Sequence, residues 1–276
     1  MKIRIKFKKY GSMKFIGHLD VMRYFQKAIR RADVNICYSG GFSPHQIMSF
    51  AAPLGVGITS NGEYVDIEVA DTKPAGVPET PGAAAEVTGG AADAAGPDVW
   101  DSRTMVERLN QVMSEGFEIV SCRRLPDDAA NAMSIVGAAD YTICFRPGYE
   151  PEPVSEEKWF ENLIAFYDQP SVMVMKKTKR GEKEVDLKPL VYELRLCPGG
   201  ASSGPCLFMK ISAGSAANVK PEQILDAYYG SLGQERPPFG FMVQREEVYA
   251  DMASVDRREA GIHEFVTLEQ LGEDIG

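Results

Sequence analysis

Three histidines stand in 276 residues, and two of them, His18 and His45, fall within the first fifty. Histidine titrates near neutral pH, so either could take a proton from a ribose 2′-hydroxyl or give one to a leaving oxygen. With Tyr38 they are the candidates for metal-free RNA cleavage. Asp20 is too close in sequence to His18 to imply a partner geometry, and no serine or cysteine stands out as a nucleophile. A histidine that bonds a carbonyl or touches a phosphate uses the same chemistry without catalysis. The expectation is therefore a protein that is not itself an enzyme, with His45, His18 and Tyr38 as the residues to test.

His45 sits in YSGGFSPHQIMSF, residues 38–50. Gly40 and Gly41 allow positive φ and close backbone approach, Pro44 fixes the chain before His45, and Tyr38 and Phe42 offer flat faces on which a base could stack. Ser39 adds a hydroxyl. The pattern has neither G-x-x-x-x-G-K-[ST] nor G-x-G-x-x-G, so triphosphate and dinucleotide readings lose their support. Two readings stay open: a phosphate-binding loop, or a turn whose glycines serve geometry alone.

The elements that must position this loop are legible on either side. From Ile3 to Phe7 apolar and basic residues alternate with period two, as in a half-buried strand with one positive face. From Leu19 to Ala32 the period changes, so that Met22, Phe25, Ile29 and Ala32 form a helical apolar stripe while Arg23, Lys27, Arg30 and Arg31 line another face. Four such cations, backed by those of the strand, could neutralise phosphates spaced along a backbone, or simply be solvated. The first fifty residues carry ten lysines and arginines against two aspartates, a balance of +8, so the other 226 carry −17 of the total −9. A basic end on an acidic body suits a polyanion better than a membrane sheet.

Further strands are predicted at 34–38, 45–51, 63–69 and 117–125, with a helix at 104–113. A second series follows: strands at 140–146, 171–177, 185–196, 206–212 and 241–249, and helices at 155–167 and 221–230. The fold class is α+β, two tandem ferredoxin-like (βαβ-βαβ) domains with mostly antiparallel sheets, each leaving one sheet face free. The first domain is 1–125, with a flexible Ala/Gly/Pro-rich insertion at 73–98; the second is 138–250, and 251–276 is an acidic, loosely attached tail. The five cysteines, at 37, 122, 144, 197 and 206, form no C-x-x-C pair and have no histidine at ligand spacing, so reduced thiols and no metal are expected. No run reaches the ~18 apolar residues of a spanning helix and no signal peptide is visible, so a cytoplasmic protein without membrane contact is expected.

Over residues 14–69 the chain resembles the bacterial radical-SAM-associated domain of unknown function. That family has F-x-G/S-H-L-D-x-x-R, a helix ending R-R-A, then Y-S-x-G-F-x-P-H and S-x-x-x-P-L-x-x-G. Matching are Phe15, His18, Leu19, Asp20, Arg23, Arg30, Arg31, Tyr38, Ser39, Gly41, Phe42, Pro44, His45, Pro53, Leu54, Gly57, Glu63 and Asp66. Later segments VDLKPLVYELRL and VKPEQILDAYYG extend the resemblance over residues 1–250, the insertion apart. It implies a radical-SAM protein, of cobalamin-binding resemblance, as fusion or neighbour. This chain lacks the C-x-x-x-C-x-x-C that holds such a cluster, so no cofactor is expected in it.

Taken together, the expected function is a radical-SAM-associated accessory subunit that binds RNA, tRNA or rRNA, through Arg23, Lys27, Arg30, Arg31, Tyr38, Ser39, Gly40, Gly41, Phe42 and His45, to assist a modifying enzyme. The alternatives are a metal-free endoribonuclease resembling the CRISPR repeat-processing proteins, and a protein-docking scaffold that never touches nucleic acid.

Overall fold

Alternation decides the first element. In β1 (Lys2–Lys9) the side chains of Ile3, Ile5 and Phe7 are fully buried, and α1 (His18–Arg31) lays Val21, Phe25, Ala28 and Ile29 over them, with the Phe7 and Phe25 rings 4.5 Å apart. The spacing i, i+4, i+7, i+8 is a single helical stripe. The helix stops where Asp33 takes φ 59°, a left-handed position that aspartate tolerates, and Val34 N–H closes back on Ile29 O.

This is a computed structural model, and it describes residues 1–70, 100–178, 181–199, 204–214 and 217–276; the insertion expected at 73–98 lies outside the described residues. After α1 come β2 (Met48–Phe50), β3 (Thr59–Glu68), α2 (Ser102–Val112), β4 (Phe117–Leu125), α3 (Ala132–Ile135) and β5 (Val136–Phe145). Then follow α4 (Glu156–Phe166), β6 (Met173–Thr178), β7 (Gly181–Asp186), β8 (Val191–Cys197), β9 (Cys206–Ser212), α5 (Pro221–Ser231) and β10 (Phe241–Asp251). The chain closes with α6 (Val255–Glu259), β11 (Phe265–Thr267) and β12 (Glu273–Asp274). The fold is α+β, with six α-helices among the described residues and a large, mostly antiparallel sheet.

That sheet has ten strands in the order β12-β4-β1-β3-β10-β5-β9-β8, with β2 added to β3 and β11 to β10; β6 and β7 form a separate hairpin. Two sheets were expected, and one continuous sheet is found. The seam is the one parallel contact among the named strands, β3 with β10, through Thr59–Gln244 and Ser60–Arg245. It forms because β2 covers only Val65 to Ile67 of the β3 edge, leaving the earlier residues to pair with β10. Phe7 pairs with Glu63, and Arg245 with Tyr141, so the buried Glu63–Arg245 ion pair lies on the face that α1 and α2 cover and that α4 and α5 also cover. A trough therefore runs between the two helix pairs.

Three further expectations are corrected. The cations of β1 do not form a positive surface: Arg4 is bonded twice to Asp66 and to Leu268 O, Lys6 is paired with Glu247 and Glu269, Lys8 with Glu118, and buried Lys9 donates to Ile16 O. The segment 251–276 is not a loose tail, for Leu268 and Ile275 are buried, β12 pairs with β4 at the sheet edge, and the turn Leu268–Leu271 lies over β1, β4 and β10, on the sheet face expected to be free. The cysteines are not all thiols, because Cys144 and Cys206, neighbours across β5 and β9, form a disulfide. Locally, 34–38 makes only the isolated bridges Ile36–Val69 and Tyr38–Gln46 instead of a strand.

Candidate nucleic-acid interface

Once the β1 cations are spent internally, the positive charge left exposed near the amino terminus is on α1. Arg23, Lys27 and Arg30 fall at i, i+4 and i+7, the face opposite the buried stripe, and all three are exposed. The Arg23–Asp20 contact, 3.5 Å with both side chains largely in water, contributes little. Arg30 Nε donates to Gln26 O, which keeps its stem along the helix. Arg31 departs from this group: it donates to Val112 O at the end of α2 and lies 6.0 Å from the centre of the Tyr24 ring.

The loop docks at the flank of the same stripe. Gln46, 5% exposed, donates from Nε2 to Gln26 O, the carbonyl between Arg23 and Arg30. Neither glutamine carries a sequence signal for this contact, because it joins residues 20 apart in the chain. The loop itself is closed at its neck. Ser39 N–H donates to His45 O at 2.8 Å, His45 N–H donates to Ser39 Oγ at 3.1 Å, and Ser39 Oγ lies 2.8 Å from His45 Nδ1. Gly41 takes φ 101°, which a side chain would strain, and that turn throws Phe42 outward. Phe42 is fully exposed and Tyr38 is half exposed at 52%. An apolar ring held in water at a loop tip gains nothing for the fold.

The other candidates separate into distinct surroundings. His45 also lines a cavity of about 380 Å³ on the opposite side of the sheet, with Ser39, Lys2, Asp66 and Asn131. His18, at the first turn of α1, packs edge-on against Phe50 at 5.2 Å, and burial holds its pKa below the ordinary value, with Glu63 opposing and Lys9 adding to that shift. The contacts of the two histidines share no residue, so the fold does not bring them together as an acid and base. His45 Nε2 has no hydrogen-bond partner among the described residues.

Among the described residues no group of His, Cys, Asp and Glu could hold a metal ion, and no helix is long and apolar enough to cross a membrane. The arrangement offers three point charges along about two helical turns and, on the adjoining loop, an exposed ring.

Among solved structures, a chain of the crystal structure of a Cbf5-Nop10-Gar1 complex is similar, with a TM-score of 0.41 at 9% identity over 89% of this chain and 48% of that one. This chain thus spans about half the length of that one. No curated protein matches. A family model matches residues 2–80 and 91–221, which together are well over half of the chain and include α1, the loop and the β3 side of the seam. The chain belongs to that family, described as an uncharacterized protein conserved in bacteria (DUF2344).

Proposed function

We propose that the chain is a non-enzymatic RNA-binding accessory protein, which holds a single-stranded segment of a structured RNA for a radical-SAM modifying enzyme. The observation that carries this reading is Phe42, fully exposed on a loop anchored at Gln26, at the flank of the face that bears Arg23, Lys27 and Arg30. A base stacks on the ring, the backbone phosphates of neighbouring nucleotides meet the three cations, and neither contact reads sequence. Sequence recognition then belongs to the shape of the RNA or to the partner. The radical-SAM association rests on the motif resemblance over residues 14–69. The strand orders β4-β1-β3-β2 and β10-β5-β9-β8, each antiparallel, support reading the two halves as ferredoxin-like units fused at one edge.

The test is fluorescence-anisotropy titration of total tRNA, a single-stranded oligoribonucleotide and a duplex DNA at two salt concentrations. Three phosphate contacts to a single strand give a slope of log affinity against log salt of about −2. Phe42→Ala is expected to weaken RNA binding about tenfold, and Arg23→Glu with Arg30→Glu to abolish it without loss of fold. Salt-independent binding, or none, overturns the reading. One observation favours a second reading, an endoribonuclease: Ser39 holds His45 by Nδ1 and leaves Nε2 without a partner among the described residues. EDTA-resistant cleavage that leaves a cyclic phosphate and is lost in His45→Ala would decide for it.

A further inference from the structure

The trough between the two helix pairs holds a cavity of about 410 Å³ that the loop and α1 cations do not enter. Its size lies within the ~300–1,000 Å³ of small-molecule sites. One wall is the turn before α1, with Lys14 and Phe15, and the other is the start of α5 and the segment leading into β10, with Glu222, Arg236 and Phe239; Arg146, just past β5, joins them. Both phenylalanines stand in water at the mouth, Phe15 66% and Phe239 78% exposed.

Three features of this cavity point to a ligand. Phe239 takes φ 60°, a left-handed conformation that costs a bulky residue energy, and Arg146 Nε holds it there by donating to its carbonyl oxygen at 2.8 Å. Glu222 Oε2 is buried and has no hydrogen-bond partner among the described residues, a carboxylate oxygen waiting for a donor. Lys14, Arg146 and Arg236 gather positive charge at one opening, with Asp226 taking one donor of Arg236 and Lys14 Nζ 5.2 Å from the Phe15 ring centre. Two exposed rings call for a flat apolar partner, the orphan oxygen for an N–H, and the cations for an anion.

We propose that this cavity binds a nucleotide unit: the base stacks at Phe15 and Phe239 with an N–H on Glu222 Oε2, and the phosphate is held by Lys14, Arg146 and Arg236. The source is a free nucleotide or one unstacked residue of a bound RNA, which present the same groups. The site is argued from residues outside the proposed RNA surface and stands or falls apart from it.

Isothermal titration of the full chain with guanosine 5′-monophosphate, with guanosine and with inorganic phosphate tests it. The nucleotide is expected to bind at least tenfold more tightly than either half. Phe239→Gly, which keeps the left-handed backbone and removes the ring, and Arg146→Met are each expected to weaken it tenfold or more, as is Glu222→Met, while circular dichroism stays that of the parent. Arg23→Glu with Arg30→Glu is expected to leave the nucleotide isotherm unchanged, which separates failure of this site from failure of the α1 surface. Displacement of the nucleotide by a short single-stranded RNA assigns the RNA source, and its absence assigns the free nucleotide. No nucleotide binding at millimolar concentration, or binding that persists in both Phe239→Gly and Arg146→Met, overturns the proposal.

Discussion

His18 and the Glu63–Arg245 pair show what single side chains do at the seam. Burial against Phe50 lowers the His18 pKa below its ordinary 6.5, the unfolded value, with Glu63 pulling it back up and Lys9 pushing it down. Between the folded and unfolded pKa values the unfolded chain binds more protons, so stability rises with pH there. The contribution of neutral His18 is complete above pH 6.5 and is lost as the pH falls through the folded pKa. Urea melts from pH 7.5 to 5 should therefore show less acid destabilisation in His18→Gln than in the parent. Behind it, Arg245 and Glu63 are 3% and 6% exposed, joined at Nε to Oε1 by 2.8 Å, with Arg245 Nη2 also on Ala52 O. Glu63→Ala leaves a guanidinium buried without its counter-ion and is expected to cost about 3–5 kcal/mol, whereas Glu63→Leu with Arg245→Met is expected to be close to neutral. Equal losses in the single and double variants would refute the assignment.

At the scale of elements, the segment after β10 acts as a lid on the sheet. Leu268 is fully buried, its carbonyl accepts from Arg4, and Glu269 reaches both Lys6 and Arg123. Lys6 is held above its ordinary pKa because Glu247 and Glu269 outweigh the cost of burying it. Leu268→Ala is expected to cost about 2–5 kcal/mol from lost burial and the cavity left behind. A chemical-denaturation midpoint that did not move would place Leu268 outside the core. The helical stripe of Arg23, Lys27 and Arg30 could be read from spacing alone, because helical period depends on the residues of the helix itself. The loop's closure could not, since Ser39–His45 and Gln46–Gln26 depend on how the chain returns to α1.

For the whole molecule, the disulfide between Cys144 and Cys206 ties two central strands across 62 residues of chain. Reduction, or Cys144→Ser, is expected to lower stability by about 2–4 kcal/mol, chiefly by freeing the unfolded chain. Melting with and without dithiothreitol checks this, and the serine variant should be insensitive to the reductant. Most of the strands and helices between residues 2 and 250, the amphipathic faces of β1 and α1 and the glycine-rich loop with its aromatics follow from the sequence by itself, because each is a pattern of neighbours within one element. The tertiary structure alone decided which charges remain available. Lys6 is neutralised by Glu269, 263 residues away, and Arg245 by Glu63, 182 residues away. No local pattern reports such a partner. The same holds for the parallel seam of β3 and β10: a short β2 leaves an edge open, and the strand that fills it is chosen by the packing of the entire chain.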